Sequence, residues 1–178
     1  AMRIPLARAQ VWVPHLLRAV DVASLSTTQR LAFFLAQIGH ETMGLQFITE
    51  IWGPTPTQRR YDTHPYLGNK RPGDGRRYMG RGLIQVTGRA NYATATADLT
   101  ALDASAPDFV ATPEELATPK WAALSAACYW QRRLLNVSAD AGDFTLNTRR
   151  INGGLNGLAD RRLRLHRATT ILTRAGGL

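Results

Sequence analysis

The 178-residue sequence predicts a mostly α-helical fold with a minor β element. Three observations predict it. Apolar residues recur at helical spacing through most of the chain. Caps, prolines and glycines mark where those stretches begin and end. Only one short run, Leu83-Ile84-Gln85-Val86-Thr87, reads as a strand. With 44% hydrophobic and 20% charged residues, the chain can bury a core as one domain, residues 1–178, without disulfide staples.

In order, residues 3–25 carry apolar positions at loose helical spacing and predict one or two short helices. Ser26, followed three positions later by Gln29, reads as a capping box for a helix from about Thr27 to about Thr42, with Gly44 as its stop. From Ile51 to Met79 the chain turns to Gly, Pro, Arg, Tyr and Asp without period, so a long ordered loop or small lobe is expected over about 51–88. The strand candidate closes that segment, framed by Gly80, Gly82 and Gly88. Helix resumes near Ala90 to Leu99. Thr112-Pro113 and Thr118-Pro119 each read as a cap followed by proline at the first helical position, the second opening a helix to about Leu135. A further helix near Phe144 to Ile151 ends at Asn152-Gly153-Gly154. The last, about Leu158 to Ala175, is basic and amphipathic.

Composition narrows the function. The formal charge of +9 comes from 20 Arg and two Lys against 13 acids, and favours an anionic partner: nucleic acid, anionic lipid or an acidic wall polymer. The arginines are spread in pairs along the chain, which describes a generally basic surface, and no nucleic-acid motif accompanies them. No run of 18 apolar residues predicts a membrane span, and the N-terminal stretch lacks an apolar core followed by a small-residue cleavage site. Cys128, the one cysteine, cannot form an internal disulfide, has no electropositive activator beside it and reads as a buried, inert thiol.

The chemistry concentrates in Leu31 to Glu50, which holds two of only four glutamates inside apolar sequence. Leu31, Phe34, Ile38 and Glu41 share helical spacing, so Glu41 continues the buried face of its helix. Desolvation there raises a carboxyl pKa and holds a proton for general-acid work. On an unbroken helix Glu50 would lie about 13 Å away. An inverting glycosidase needs its carboxyls roughly 6.5–9.5 Å apart, so a bend at Gly44 is expected, with Glu50 more solvated and ionised. The plainer alternative for Glu41 is a solvated or salt-bridged helix end. His40-Glu41 lacks the second histidine of a zinc-protease helix, and His15, His64 and His166 are scattered, so no metal or other cofactor is expected. His40 either orients a neighbour or is a satisfied histidine at the core's edge.

Four segments in order then give a resemblance: His40-Glu41-Thr42, Gly80-Arg81-Gly82-Leu83-Ile84-Gln85-Val86-Thr87, Asn91-Tyr92, and Ile151-Asn152-Gly153-Gly154 with Ala159-Asp160-Arg161. Together they resemble glycoside hydrolase family 19, which contains plant-type chitinases and phage endolysins. The resemblance implies a lysozyme-like, two-lobed fold with a central cleft that acts by inversion. Glu41 matches the catalytic acid, Glu50 the base and Thr87 a hydroxyl that holds the attacking water. His40, Gln85, Asn91 and Asn152 match polar cleft residues, and Arg161 matches an arginine coupled to the carboxylates, which would help keep Glu50 ionised. Of the loop aromatics Trp52, Tyr61, Tyr66 and Tyr78, some stack on sugars and others fill the loop, with Tyr78 assigned to substrate. The alternatives are a strand whose Gln85–Thr87 face meets solvent, a helix-terminal Asn152, and an Arg161 that is one face of a basic helix.

The arginine-rich balance, the lack of a signal-peptide pattern and the sequence from Ile151 to Arg161 look more like the endolysin branch. That branch implies a monomer made in the host cytoplasm, released by a holin-type partner and cutting β-1,4 bonds of peptidoglycan. A chitinase is the enzyme alternative, and a non-catalytic basic module for wall or nucleic acid is the alternative of another class. The last helix either packs one face on the core or contacts an anionic outer membrane.

Overall fold

The computed structural model describes Met2 and residues 4–176. Helices α1 (Leu6–Val22) and α2 (Thr28–Glu41) come first. Short helices α3 (Pro56–Arg59) and α4 (Asp74–Arg77) flank a 3-10 turn at Tyr61–Thr63. Helix α5 (Arg89–Leu102), a 3-10 turn at Pro113–Ala117, α6 (Pro119–Arg132), α7 (Leu135–Asp140), α8 (Phe144–Asn152) and α9 (Leu158–Arg174) complete the order. The chain divides into two compact units, Ala1–Phe47 with Ala126–Leu178, and Ile48–Ser125. The segment expected as a lobe at 51–88 thus belongs to a larger unit that also takes in α5.

The first unit is built on the pairing of α2 with α9, supported by α7 and α8. Helix α2 turns Phe33, Phe34, Ala36 and Ile38 inward. Phe34 meets Trp130 edge-on at 5.2 Å between ring centroids, and Phe33 meets Phe144 at 4.9 Å. Such contacts add roughly 0.5–1.5 kcal/mol each to the burial of the rings. The cap of α2 is Thr27, whose hydroxyl accepts from Arg30 N at 3.2 Å, rather than the expected Ser26. Ser26 Oγ instead accepts from the Arg30 side chain, and the extended backbone of Thr27 (φ −129°) takes the cap one residue on. After Glu41 the backbone turns left-handed over Met43, Gly44 and Leu45, the bend expected near Gly44. Helix α6 stops at Arg132, short of the expected Leu135, because Leu134 adopts φ 49°. Cys128 is half-buried, not fully buried as expected. The C-terminus of α8 closes on Gly153 at φ 76°, as its sequence predicts.

The second unit packs Tyr78, Leu83, Tyr92, Leu99, Phe109 and Leu116, all within 1% of full burial. The predicted strand is absent. Arg81 and Val86 exchange N–H to carbonyl bonds at 3.1 and 2.8 Å, so the chain doubles back within Gly82–Gln85. Isolated bridges of Arg81 with Val86 and with Thr49 are what remains of the minor β element. A fold-back this tight, with Gly82 at φ 81° and Gln85 at φ 54°, leaves no length for a ladder. Thr112 makes no side-chain cap, and the Thr118 hydroxyl donates to Glu115 O at 2.8 Å.

Candidate active site

Each unit gathers one of the two carboxylates with its own partners. In the first, Glu41 ends α2 with its side chain 19% exposed. It is not left in apolar surroundings, as its spacing suggested. Arg161, from the first turn of α9 and 1% exposed, donates from Nη2 to Glu41 Oε1 at 2.5 Å. Its Nη1 donates to Gln37 Oε1 at 2.6 Å and its Nε to Asn156 O at 3.2 Å. Gln37 stands one turn before Glu41 on the same helix face, which fixes both against one guanidinium. Its amide nitrogen then donates to Asn147 Oδ1 and Thr148 Oγ1, and Asn147 donates on to Ser138 and to Leu135 O. The result is a buried polar chain from Glu41 to α7 in which every link has a partner, the condition under which such networks fix geometry.

His40 lies beside this chain. Its Nδ1 is 2.7 Å from Asp160 Oδ2, which also accepts from Arg164 Nε at 2.7 Å. Burial opposes ionisation of Asp160, yet the bonds from Arg164 and His40 hold its carboxyl below the usual range. The ring rests against Gly157, where a Cβ would overlap Cε1 and Nε2. His40 therefore orients the turn before α9 rather than hanging free. Asn152 is exposed at the end of α8.

In the second unit Glu50 is half-buried and takes three donors. Oε1 accepts from Gln58 Nε2 at 2.8 Å and from the Tyr61 hydroxyl at 3.2 Å, and Oε2 accepts from Gly80 N at 2.9 Å. Its own N–H donates to Gly80 O at 2.7 Å. The Tyr61 hydroxyl is pushed up to about 12, by burial and by the neighbouring Glu50 charge, so it remains a donor. Gly80 also faces Gln85 and Thr87: a Cβ there would lie 2.7 Å from Gln85 Oε1 and 3.3 Å from Thr87 Oγ1. Glu50, Gln85 and Thr87 therefore share one neighbourhood. The expected strand alternation does not produce it; the fold-back at Gly82–Gln85 does. Thr87 Oγ1 donates to Gln85 O at 2.9 Å, and Asn91 Nδ2 donates to Thr87 O at 2.7 Å.

Arg161 pairs with Glu41, one of the carboxylates it was expected to couple to, while Glu50 takes its hydrogen bonds from Gln58, Tyr61 and Gly80. The expectation for Tyr78 is corrected. Tyr78 is 1% exposed, its hydroxyl donates to Val110 O, and its ring packs against Tyr92 at 5.3 Å. It is core and has no face to offer a sugar. Gln37, Gln58, Asn147 and Asp160 were missed by sequence reasoning. Gln37 had a signal in its i, i+4 relation to Glu41, and Gln58 in the Thr55-Pro56-Thr57-Gln58 capping box that the structure forms. Asn147 had none. Among the described residues no three of His, Cys, Asp and Glu gather as metal ligands.

No family model matches the chain. A Haemophilus influenzae glycosyl hydrolase family 19 domain-containing protein is 33% identical over 179 aligned residues, covering 85% of this chain and 84% of that protein. Chitinase C from Streptomyces griseus superposes with a TM-score of 0.70 at 24% identity, covering 92% of this chain and 88% of that one. A bacterial family 19 chitinase superposes with a TM-score of 0.61 at 22% identity over 91% and 90% of the two chains. The α-rich, lysozyme-like fold and this kinship define a glycoside hydrolase. The chain belongs to glycoside hydrolase family 19.

Proposed function

We propose that this hydrolase is an endolysin that cuts β-1,4 bonds between the N-acetylated amino sugars of peptidoglycan, with inversion. The observation that carries the reading is the pair of carboxylates in unlike settings, Glu41 held by one buried guanidinium and Glu50 by three neutral donors. Unlike settings suit unlike roles. Glu41 protonates the leaving oxygen, with Arg161 fixing its Oε1 and leaving Oε2 without that contact. Glu50 takes a proton from the attacking water, which the Thr87 hydroxyl helps to hold. Gln85, Asn91 and Asn152 bind the sugars. The enzyme needs no cofactor in this scheme.

The net charge of +9 supports an acidic wall polymer over neutral chitin. No helix among the described residues is long and apolar enough to cross a membrane, and the proposal includes a holin-type partner that gives the enzyme, acting as a monomer, access to the wall. The amphipathic α9, with Leu163 and Ile171 exposed beside its arginines, is the candidate for contact with an anionic outer membrane. A chitinase remains the second reading, favoured by the chitinases among its structural neighbours.

The deciding experiment measures reducing-end release from purified peptidoglycan and from chitooligosaccharide for wild type, Glu41→Gln and Glu50→Gln. Each variant should lose at least about a hundredfold in kcat on the wall, since general acid or base action supplies 10²–10⁴. NMR of the first product should show the α-anomer. Preferential cleavage of chitin would establish the chitinase reading, and wall cleavage untouched by either variant would remove both carboxylates from the mechanism.

A further inference from the structure

The second unit carries a cavity of 430 Å³ lined by Arg71, Asp74, Arg77, Tyr78, Arg89 and Val110, among others. None of these has a part in the glycan chemistry above. Three guanidinium groups line it with one carboxylate, and that carboxylate is fully occupied. Asp74 accepts from Arg89 Nη2 at 2.8 Å and Nε at 3.0 Å, and from the N–H groups of Lys70 and Arg71 at 2.7 and 3.1 Å. It therefore neutralises Arg89 and has nothing left for the other two.

Among the described residues no acid pairs with Arg77. Its Nη2 donates to Ala111 O at 2.7 Å and Val110 O at 3.4 Å, and its Nε to the Tyr78 hydroxyl at 3.2 Å, all neutral acceptors. Arg77 and Arg89 both pack on the Tyr78 ring, at 5.6 and 4.7 Å from its centroid. Arg89 also interacts with the Tyr78 hydroxyl, whereas among the described residues Arg77 Nη1 makes no hydrogen bond. Arg77 is thus already immobilised by its other nitrogens, with an N–H donor still open at a cavity that holds three guanidinium groups and one carboxylate. That is the arrangement that binds planar oxyanions at low ordering cost.

We propose that this cavity binds carboxylates of the peptidoglycan stem peptide. It would be a second contact with the wall, outside the residues that cut the glycan. The proposal rests on peptidoglycan being the substrate. A stem peptide is covalently joined to the glycan being cut, so even a weak carboxylate contact would raise residence on the strand through effective concentration. A phosphate of another wall polymer has a similar charge, and the test separates it.

The experiment is calorimetric titration of the full chain with a soluble stem peptide bearing free carboxylates, with the same peptide amidated, and with inorganic phosphate. Wild type should bind the free-carboxylate peptide and not the amidated one. Arg71→Ala, at an exposed position, and Arg77→Ala should each weaken that binding about tenfold or more, the value of a charged hydrogen bond. Both should keep the wild-type rate on chitooligosaccharide, and an unchanged Tm would exclude misfolding. Equal binding by both variants would overturn the proposal, as would phosphate binding with the peptide silent. If the stem peptide binds as expected but wall cleavage is absent, the substrate reading fails alone. If the wall is cleaved and no peptide binds, this proposal fails alone.

Discussion

Gln58 shows how much one side chain can fix. Its nitrogen donates to Glu50 and to Ile51 O, and its oxygen accepts from Gly53 N and Thr55 N, so a single buried amide ties a carboxylate to the turn around it. Gln58→Leu should lower stability by roughly 1–3 kcal/mol, the cost of leaving buried polar partners unmade. It should also lower kcat more than KM, because Glu50 loses its orientation. Tyr61→Phe removes a longer bond, 3.2 Å, and should cost about 1 kcal/mol or less with a smaller fall in kcat. Urea unfolding and steady-state kinetics on the two variants check the order. A Tyr61→Phe enzyme slower than Gln58→Leu would mean that the hydroxyl does more than position Glu50.

At the scale of elements, the turn into α9 is set by two glycines with unlike demands. Gly153 and Gly157 both have left-handed backbone, at φ 76° and 71°, but only Gly157 lies against the His40 ring. Gly153→Ala should therefore cost about 1 kcal/mol of backbone strain. Gly157→Ala should cost more, displace His40 from Asp160 and reduce activity. Comparing their unfolding free energies isolates the steric part; equal losses would show that the His40 contact is easily relieved. The same contrast explains what could be read from sequence. Helices α2, α5, α8 and α9 were legible because caps, stops and 3.6-residue periodicity are local properties. The Gly82–Gln85 fold-back was not, since its hydrophobic run also fits a strand and its pairing partners include Thr49. The burial of Tyr78 was also illegible, being decided by Tyr92, Arg89 and Val110 rather than by its neighbours in sequence. The resemblance named Glu41, Glu50 and Arg161, but which carboxylate Arg161 meets depends on how α2 lies against α9.

For the whole molecule, pH acts from both ends of the scale. Asp74 is lowered to about 2, with the Arg89 hydrogen bond the largest cause, and Asp160 is lowered as well. Both folded values lie below the unfolded value, so both contributions to stability are complete above about pH 4 and are lost as pH falls toward the folded values. For Asp74 that loss runs down to about 2. Tyr61 and Tyr92 are raised to about 12, burial being the first cause in each, so their contribution is lost as pH rises from about 10 toward 12. Unfolding free energy should therefore decline at both extremes, and Asp74→Asn should be less stable at neutral pH yet flatter between pH 4 and 2 in a urea–pH series. An unaltered acid limb in Asp74→Asn would assign the loss to other groups. The Glu41–Arg161 contact joins positions 120 apart, so α2 meets α9 only once the chain between them has been made. On the ribosome, residues 48–125 are complete while α2 still waits for a partner that has not emerged from the exit tunnel. Until α9 has been made, Glu41 therefore lacks the guanidinium of Arg161, and a chain terminated before α9 would never form that pair.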